Sequence, residues 1–227
     1  MTALTLHLHP LSSYCHKVLI GLYEKGIPFE PRTVNLGDPA ERQAHAALWP
    51  TAKIPLLEDR AAGRVVPETS IMLEYLDQRY PGGPALFPAD PERRMQARLW
   101  DRLFDQYVMT PMQRIVADRL RPEDRRDELN VTEARQLLDM AYAMAEKQLA
   151  AQAWAAGPDF TVADCAAAPA LFYAHIVHPF APELKALPAY FERLLQRASV
   201  QRVLQEARPW FRYFPHADRM PARFLEG

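Results

Sequence analysis

The chain has 227 residues, with 27 Lys and Arg against 28 Asp and Glu and a formal net charge of -1 at pH 7. That balance excludes the one-sided field that draws a protein to nucleic acid or to an anionic membrane surface, and points to small molecules or proteins as partners. The length allows one large or two small domains with a proper core, and no apolar run reaches the ~18 residues needed to span a bilayer.

In chain order, Met1-Thr2-Ala3-Leu4 enters a strand-like alternation without a basic stretch or a cleavable apolar segment, so a cytoplasmic location is expected. Leu4, Leu6 and Leu8 alternate with Thr5, His7 and His9, the period of a strand with one apolar face, which puts the histidines on the polar side. After Pro10, the residues Val18, Leu19, Leu22 and Tyr23 fall at helical spacing until Lys25-Gly26 supplies a stop. Phe29 to Val34 reads as a second strand and the Ala-rich Pro39 to Leu48 as a second helix. Pro55 to Glu58 and Arg64 to Val66 read as a hairpin around Asp59-Arg60-Ala61-Ala62-Gly63, and Ser70 to Tyr80 as a third helix. The predicted order is βαβαββα.

Pro81-Gly82-Gly83-Pro84, followed by Pro88 and Pro91, interrupts both helix and strand and marks a domain boundary, with one domain over 1–81 and another over 90–227. Beyond it strand signals vanish. Helical patterns run near 91–119, 131–154 and 162–177, with shorter ones near 187–198 and 200–207. In the second of these, Leu137, Leu138, Ala141, Met144, Ala145, Gln148 and Leu149 form a mostly apolar stripe. An all-α bundle is expected there.

Two segments of the first domain carry chemistry. In Lys53-Ile54-Pro55-Leu56-Leu57, a proline opens an apolar strand after a β-branched residue. This predicts a fixed Ile54-Pro55 bend, expected to be cis, that leaves the backbone of Ile54 facing outward to pair with a peptide-like ligand. Glu68-Thr69-Ser70, ahead of Ile71, Met72, Tyr75 and Leu76, reads as a helix start whose free N–H groups suit a carboxylate. Together they read as half of a site for a γ-glutamyl peptide.

Ser12-Ser13-Tyr14-Cys15 looks like a redox C-x-x-C motif with its first cysteine replaced by serine, which leaves Cys15 as a small core residue. Cys15 and Cys165 have neither the spacing of a disulfide framework nor that of metal ligands, and no metal is expected. His175 and His178 share a helical face without a third ligand. Thr161-x-x-Asp164 is a capping box with Phe160 as its staple. Arg119 to Arg126 mixes charges around Pro122 as a solvated connection does. Trp210, Phe211, Tyr213 and Phe214 are too aromatic for a loose tail, and either pack on the bundle or cover a site.

With both halves laid out, the chain resembles a cytosolic glutathione transferase of the serine type found in bacteria. The resemblance rests on Pro10-Leu11-Ser12-Ser13-Tyr14-Cys15-His16-Lys17-Val18, Lys53-Ile54-Pro55, Glu68-Thr69-Ser70-Ile71 with Tyr75-Leu76, and Gly157-Pro158-Asp159-Phe160-Thr161-Val162-Ala163-Asp164. It implies a thioredoxin-like α/β domain that binds glutathione, then an all-α domain that holds a small hydrophobic electrophile. It implies that Ser12 activates the thiol, with Ser13, Tyr14 and Cys15 as neighbouring alternatives. Ile54 would then meet the cysteinyl part, Glu68 and Thr69 the γ-glutamyl end, and Lys53 a carboxylate. Tyr107 and Met112 would line the electrophile pocket.

The implied reaction is conjugation, with glutathione as co-substrate and a homodimer as the assembly. Disulfide or peroxide reduction, isomerisation, and a non-catalytic stress-response adaptor are the alternatives. Trp49 and Ala52 stand where the family often has Asn and Gly, and alanine tolerates a positive φ less readily.

Overall fold

The computed structural model describes residues 3–225. Met1 and Thr2, read above as the approach to the first strand, lie outside the described residues, as do the last two residues of the expected 90–227 domain. The chain divides into two compact units between Leu86 and Phe87.

The first unit holds a four-stranded sheet in the order β2-β1-β3-β4, built from β1 (Leu4–Leu8), β2 (Glu30–Thr33), β3 (Leu56–Asp59) and β4 (Arg64–Val66). β1 runs parallel to β2 and antiparallel to β3, and β3 and β4 form the hairpin. The helices are α1 (Ser13–Glu24), α2 (Pro39–Leu48) and α3 (Thr69–Arg79). The α1 side chains of Cys15, Val18, Leu19, Ile20 and Leu22 are buried in the core with Met72, Leu73 and Leu76 of α3. The two helices approach closely at Gly21, where a Cβ would lie 2.3 Å from Leu73 Cδ2. Beyond α1, the buried Lys25 ammonium donates to Asp77 at 2.8 Å, and Asp77 also accepts from the Leu86 amide at 3.0 Å.

One expectation about β1 is corrected. Its alternation suggested a polar side, yet all five residues are buried, with Thr5 and His7 each 1 % exposed. As an inner strand, β1 is covered on both faces. His7 sits against His45 of α2 with ring centroids 5.5 Å apart, and its Nε2 lies 3.3 Å from Glu58 Oε2.

Asp59, at the end of β3, ties the hairpin to α3. Its carboxylate accepts from the hydroxyls of Tyr75 at 2.8 Å and Tyr80 at 2.7 Å and from the Ala62 amide at 3.0 Å. Burial pushes the carboxyl upward, but the Tyr80 and Tyr75 hydroxyls and the Ala62 and Ala61 amides outweigh it and hold Asp59 below the usual range.

The second unit is helical: α4 (Pro91–Leu103), α5 (Thr110–Arg119), α6 (Glu128–Leu149), α7 (Val162–Val177), α8 (Ala186–Leu195) and α9 (Ala198–Ala207), with short 3-10 turns beyond. The expected single helix over 91–119 is interrupted by a π-helical turn, Phe104–Met109. Pro111 has no N–H to give to the carbonyl of Tyr107, and one residue earlier the Thr110 amide donates to the Asp105 carbonyl, five residues back, with the Thr110 hydroxyl donating to the same oxygen at 3.0 Å. α6 starts before the expected position because Asp127 caps it, accepting from the Asn130 amide at 2.9 Å.

The capping box at α7 is formed as expected. Asp164 accepts from the Thr161 amide at 2.8 Å, the Ala155 amide at 2.9 Å and the Tyr190 hydroxyl at 2.5 Å, joining the starts of α7, its preceding loop and α8. The tail packs on the bundle: Phe211 and Phe214 are buried, with ring centroids 5.6 Å from Phe172 and 5.1 Å from Tyr173. Tyr213 remains 61 % exposed.

Because the Asp59 carboxyl is depressed in the folded state, its stabilisation is complete above the unfolded value of about 3.9 and is lost as pH falls through the folded one. Asp59→Ala is expected to cost about 3 kcal/mol at pH 7, since two hydroxyls and an amide lose a charged acceptor. Urea unfolding of both proteins measures this, and the gap should narrow only below about pH 4.

Candidate functional site

The strand register brings the chemistry-bearing segments to one end of the sheet. His7 pairs with Leu56 and Leu57 with Val66. The loop leaving β1, the loop entering β3 and the loop leaving β4 therefore emerge side by side, and these loops carry Ser12, Lys53-Ile54 and Glu68-Thr69.

Ser12 is the N-cap of α1, with extended φ and ψ of -77° and 116°, and its hydroxyl accepts from the Cys15 amide at 3.3 Å. Its own amide donates to the His9 carbonyl at 3.0 Å, and the neighbouring His16 Nε2 donates to the Pro10 carbonyl at 2.6 Å. The turn is thus held from both sides. Ser12 is half-buried, whereas Ser13 and Cys15 are buried and Tyr14 is half-buried. Burial pushes the Cys15 thiol up to about 12, against the Ser12 hydroxyl and the His9 backbone, so this sulfur stays protonated.

The Ile54-Pro55 peptide bond is cis, as expected. Ala52 adopts a φ of 49°, the left-handed region in which glycine would be less strained. Lys53 is exposed, Ile54 is half-buried, and the Lys53 carbonyl accepts from His45 Nε2 at 2.9 Å.

Glu68, the N-cap of α3, has a φ of 64° and a ψ of 119° and makes no side-chain cap bond. A non-glycine residue held there stores backbone strain of a kind that clusters at ligand clamps. Glu68 is exposed and Thr69, the first residue of α3, is 8 % exposed. The early amides of α3 present the positive end of its dipole to this surface.

Two residues of this region escaped the sequence reading. Lys17, with 0 % exposure, donates from its ammonium to the Ser70 hydroxyl at 3.0 Å, which sets a buried cation under the first turn of α3. Its signal was a charge set directly before the apolar run Val18, Leu19 and Ile20. His45 had only its isolation in an Ala-rich helix to distinguish it.

Tyr107 and Met112 belong to the second unit. Tyr107, in the π-helical turn, is 42 % exposed, and Met112, in α5, is 2 % exposed. His178 Nε2 is 2.6 Å from Asp139 and His175 Nδ1 accepts from the Phe180 amide at 3.2 Å. Among the described residues no His, Cys, Asp and Glu cluster suits a metal ion, and no helix is long and apolar enough to cross a membrane.

Comparison with known proteins follows the same division. The family model of the glutathione S-transferase N-terminal domain matches residues 6–84, and that of the C-terminal domain matches residues 123–197. A stringent starvation protein A homolog of Coxiella burnetii is 29 % identical over 206 residues, covering 90 % of this chain and 92 % of its own. Glutathione S-transferase GstB of Escherichia coli is 26 % identical over 198 residues, covering 85 % and 93 %. A glutathione S-transferase of Methylobacterium radiotolerans, solved in complex with glutathione sulfonate, superposes with a TM-score of 0.77 at 28 % identity, over 88 % of this chain and 93 % of its own. Two domain models that together span well over half of the chain, in the order of its two units, mean that the chain belongs to the cytosolic glutathione transferase superfamily.

Proposed function

We propose that this protein is a glutathione transferase in which Ser12 stabilises the thiolate of bound glutathione for attack on a small hydrophobic electrophile. The observation that carries this is the position of Ser12: a hydroxyl at the amide end of α1, beside the loops that bear Ile54 and Glu68. As N-cap the hydroxyl oxygen accepts, so its proton remains to be donated, and an incoming thiolate is a stronger acceptor than the neutral Cys15 sulfur. A free thiol with a pKa near ~8.5 is mostly protonated at neutral pH, so one charge-assisted hydrogen bond and the α1 dipole raise the reactive fraction.

The peptide is assigned to the same end of the sheet. Ile54 pairs with the cysteinyl backbone, and Lys53 meets the glycine carboxylate. The exposed Glu68 carboxylate takes the γ-glutamyl ammonium. The α3 amides and the Thr69 hydroxyl take its carboxylate, with Lys17 adding positive charge from below. Tyr107 and Met112 are assigned to the electrophile pocket. A homodimer is proposed as the assembly, using the polar groups near Glu68 and Arg94 and the exposed Met95 and Leu99 of α4. A cytoplasmic location goes with two free thiols.

The similarity to a stringent starvation protein A homolog favours one second reading, a non-catalytic adaptor. Retention on immobilised glutathione separates the two, because an adaptor should pass through.

Ser12→Ala is expected to slow conjugation at pH 7 by roughly tenfold to a hundredfold, the worth of ~1.5 to 3 kcal/mol of lost hydrogen bonding, while leaving glutathione affinity nearly unchanged. The deficit shrinks as pH rises toward the thiol's own pKa. Steady-state rates across about pH 6 to 9 test this, and an unchanged rate throughout moves the role away from Ser12.

Both cysteines are 0 % exposed, so the folded protein should consume no Ellman's reagent within minutes at about pH 8, and two equivalents per chain once unfolded. Fast labelling of the folded protein would bring back a cysteine-dependent reductase. Sedimentation at micromolar concentration should give about twice the 26.0 kDa of one chain, and a single-chain mass would reject the dimer.

A further inference from the structure

α2 is held to the sheet in an unusual way. Of its side chains only His45 is buried, at 3 % exposure, so the helix is anchored by a polar ring rather than by an apolar face. His45 Nε2 meets the Lys53 carbonyl at 2.9 Å. A carbonyl only accepts, so Nε2 carries the proton, and in the neutral ring Nδ1 is bare. That Nδ1 is buried and has no hydrogen-bond partner, so the ring's hold on the chain runs through Nε2. His7 closes the other flank at 5.5 Å between centroids, and is itself 3.3 Å from Glu58.

The Lys53 carbonyl shares a rigid plane with the Ile54 amide, and in a trans peptide unit the two point in opposite directions. Drawing the carbonyl inward onto His45 therefore turns the Ile54 N–H away from His45. We propose that His45 is a positioning residue for glutathione: it sets the Lys53-Ile54 peptide plane so that the Ile54 N–H is presented to the ligand's cysteinyl carbonyl. This rests on the function proposed above, and it adds a residue that touches neither ligand nor thiol.

The test compares wild type, His45→Leu and His45→Gln by glutathione titration calorimetry and by steady-state conjugation. Leucine fills the space without a donor, and glutamine restores an N–H at similar reach. His45→Leu is expected to raise the glutathione KM and Kd about three- to tenfold, with kcat within about twofold, and His45→Gln to recover most of the affinity, as loss and return of one neutral hydrogen bond predict. A residue that merely stabilised the fold would not produce that split or that rescue.

Amide exchange on the wild-type protein gives a measurement that needs no variant. The Ile54 amide should exchange freely in the free protein and slow when glutathione is added. A folded His45→Leu protein with wild-type affinity, or an Ile54 amide unaffected by glutathione, overturns the proposal while leaving the transferase reading intact. Failure of wild type to bind glutathione at all overturns both.

Discussion

The pairing of β1 with its two neighbours is the constraint on which the candidate site depends. Because β1 is antiparallel to β3 and β3 to β4, three loops far apart in sequence leave the sheet at the same end. β1 can hold that place only because it is buried on both faces. The cost of covering His7 is offset locally, by the Glu58 partner and the His45 ring, whereas the buried Thr5 hydroxyl has no hydrogen-bond partner. A slip of one residue in the β1–β3 register would send His7 toward the α1 side and its leucines toward α2. It would also separate Ser12 from Ile54, so fold and site share one register.

Helix ends supply the site's polarity. α1 begins at Ser12 and α3 at Glu68, so the positive ends of both helix dipoles lie at the same end of the unit. Their capping differs. Ser12 takes an ordinary extended conformation and closes its cap with a hydroxyl, whereas Glu68 is held at positive φ and leaves its carboxylate out of the cap. That combination of backbone strain and an uncapped side chain supports the ligand-binding role proposed for Glu68. The first turn of α3 gains a compensating charge from Lys17, buried beneath Ser70, so the region favours an anion close to a free carboxylate. That juxtaposition suits a zwitterion such as the γ-glutamyl group.

Much of this was readable from residues because it is written in local rules. Helix starts at Ser12, Glu68 and Thr161, the Ile54-Pro55 bend and the glycine-proline break after Tyr80 are each a matter of a few neighbouring residues. What escaped depends on neighbours distant in sequence. The burial of His7 follows from β1 being an inner strand, which alternation alone cannot reveal. The roles of Lys17 and His45 require Ser70, 53 residues away, and the carbonyl of Lys53, whose side chain says nothing about its backbone. The π-helical turn in the 91–119 run arises from a missing donor at Pro111, a signal present in the sequence but overridden there by the apolar period on either side.

The replacement of a leading cysteine by Ser12 shapes what chemistry the unit can support. A cysteine at a helix N-terminus would itself ionise and become the nucleophile. A serine hydroxyl stays neutral across the physiological range, so it can only lend its proton to another anion. The remaining thiol of the motif, Cys15, is sealed in the core and stays protonated. On the proposed function, reactive sulfur then comes with the ligand, and the protein's part is to orient it and to stabilise its charge. The same substitution that removes a redox couple from the chain makes a tripeptide thiol the co-substrate this end of the sheet is suited to hold.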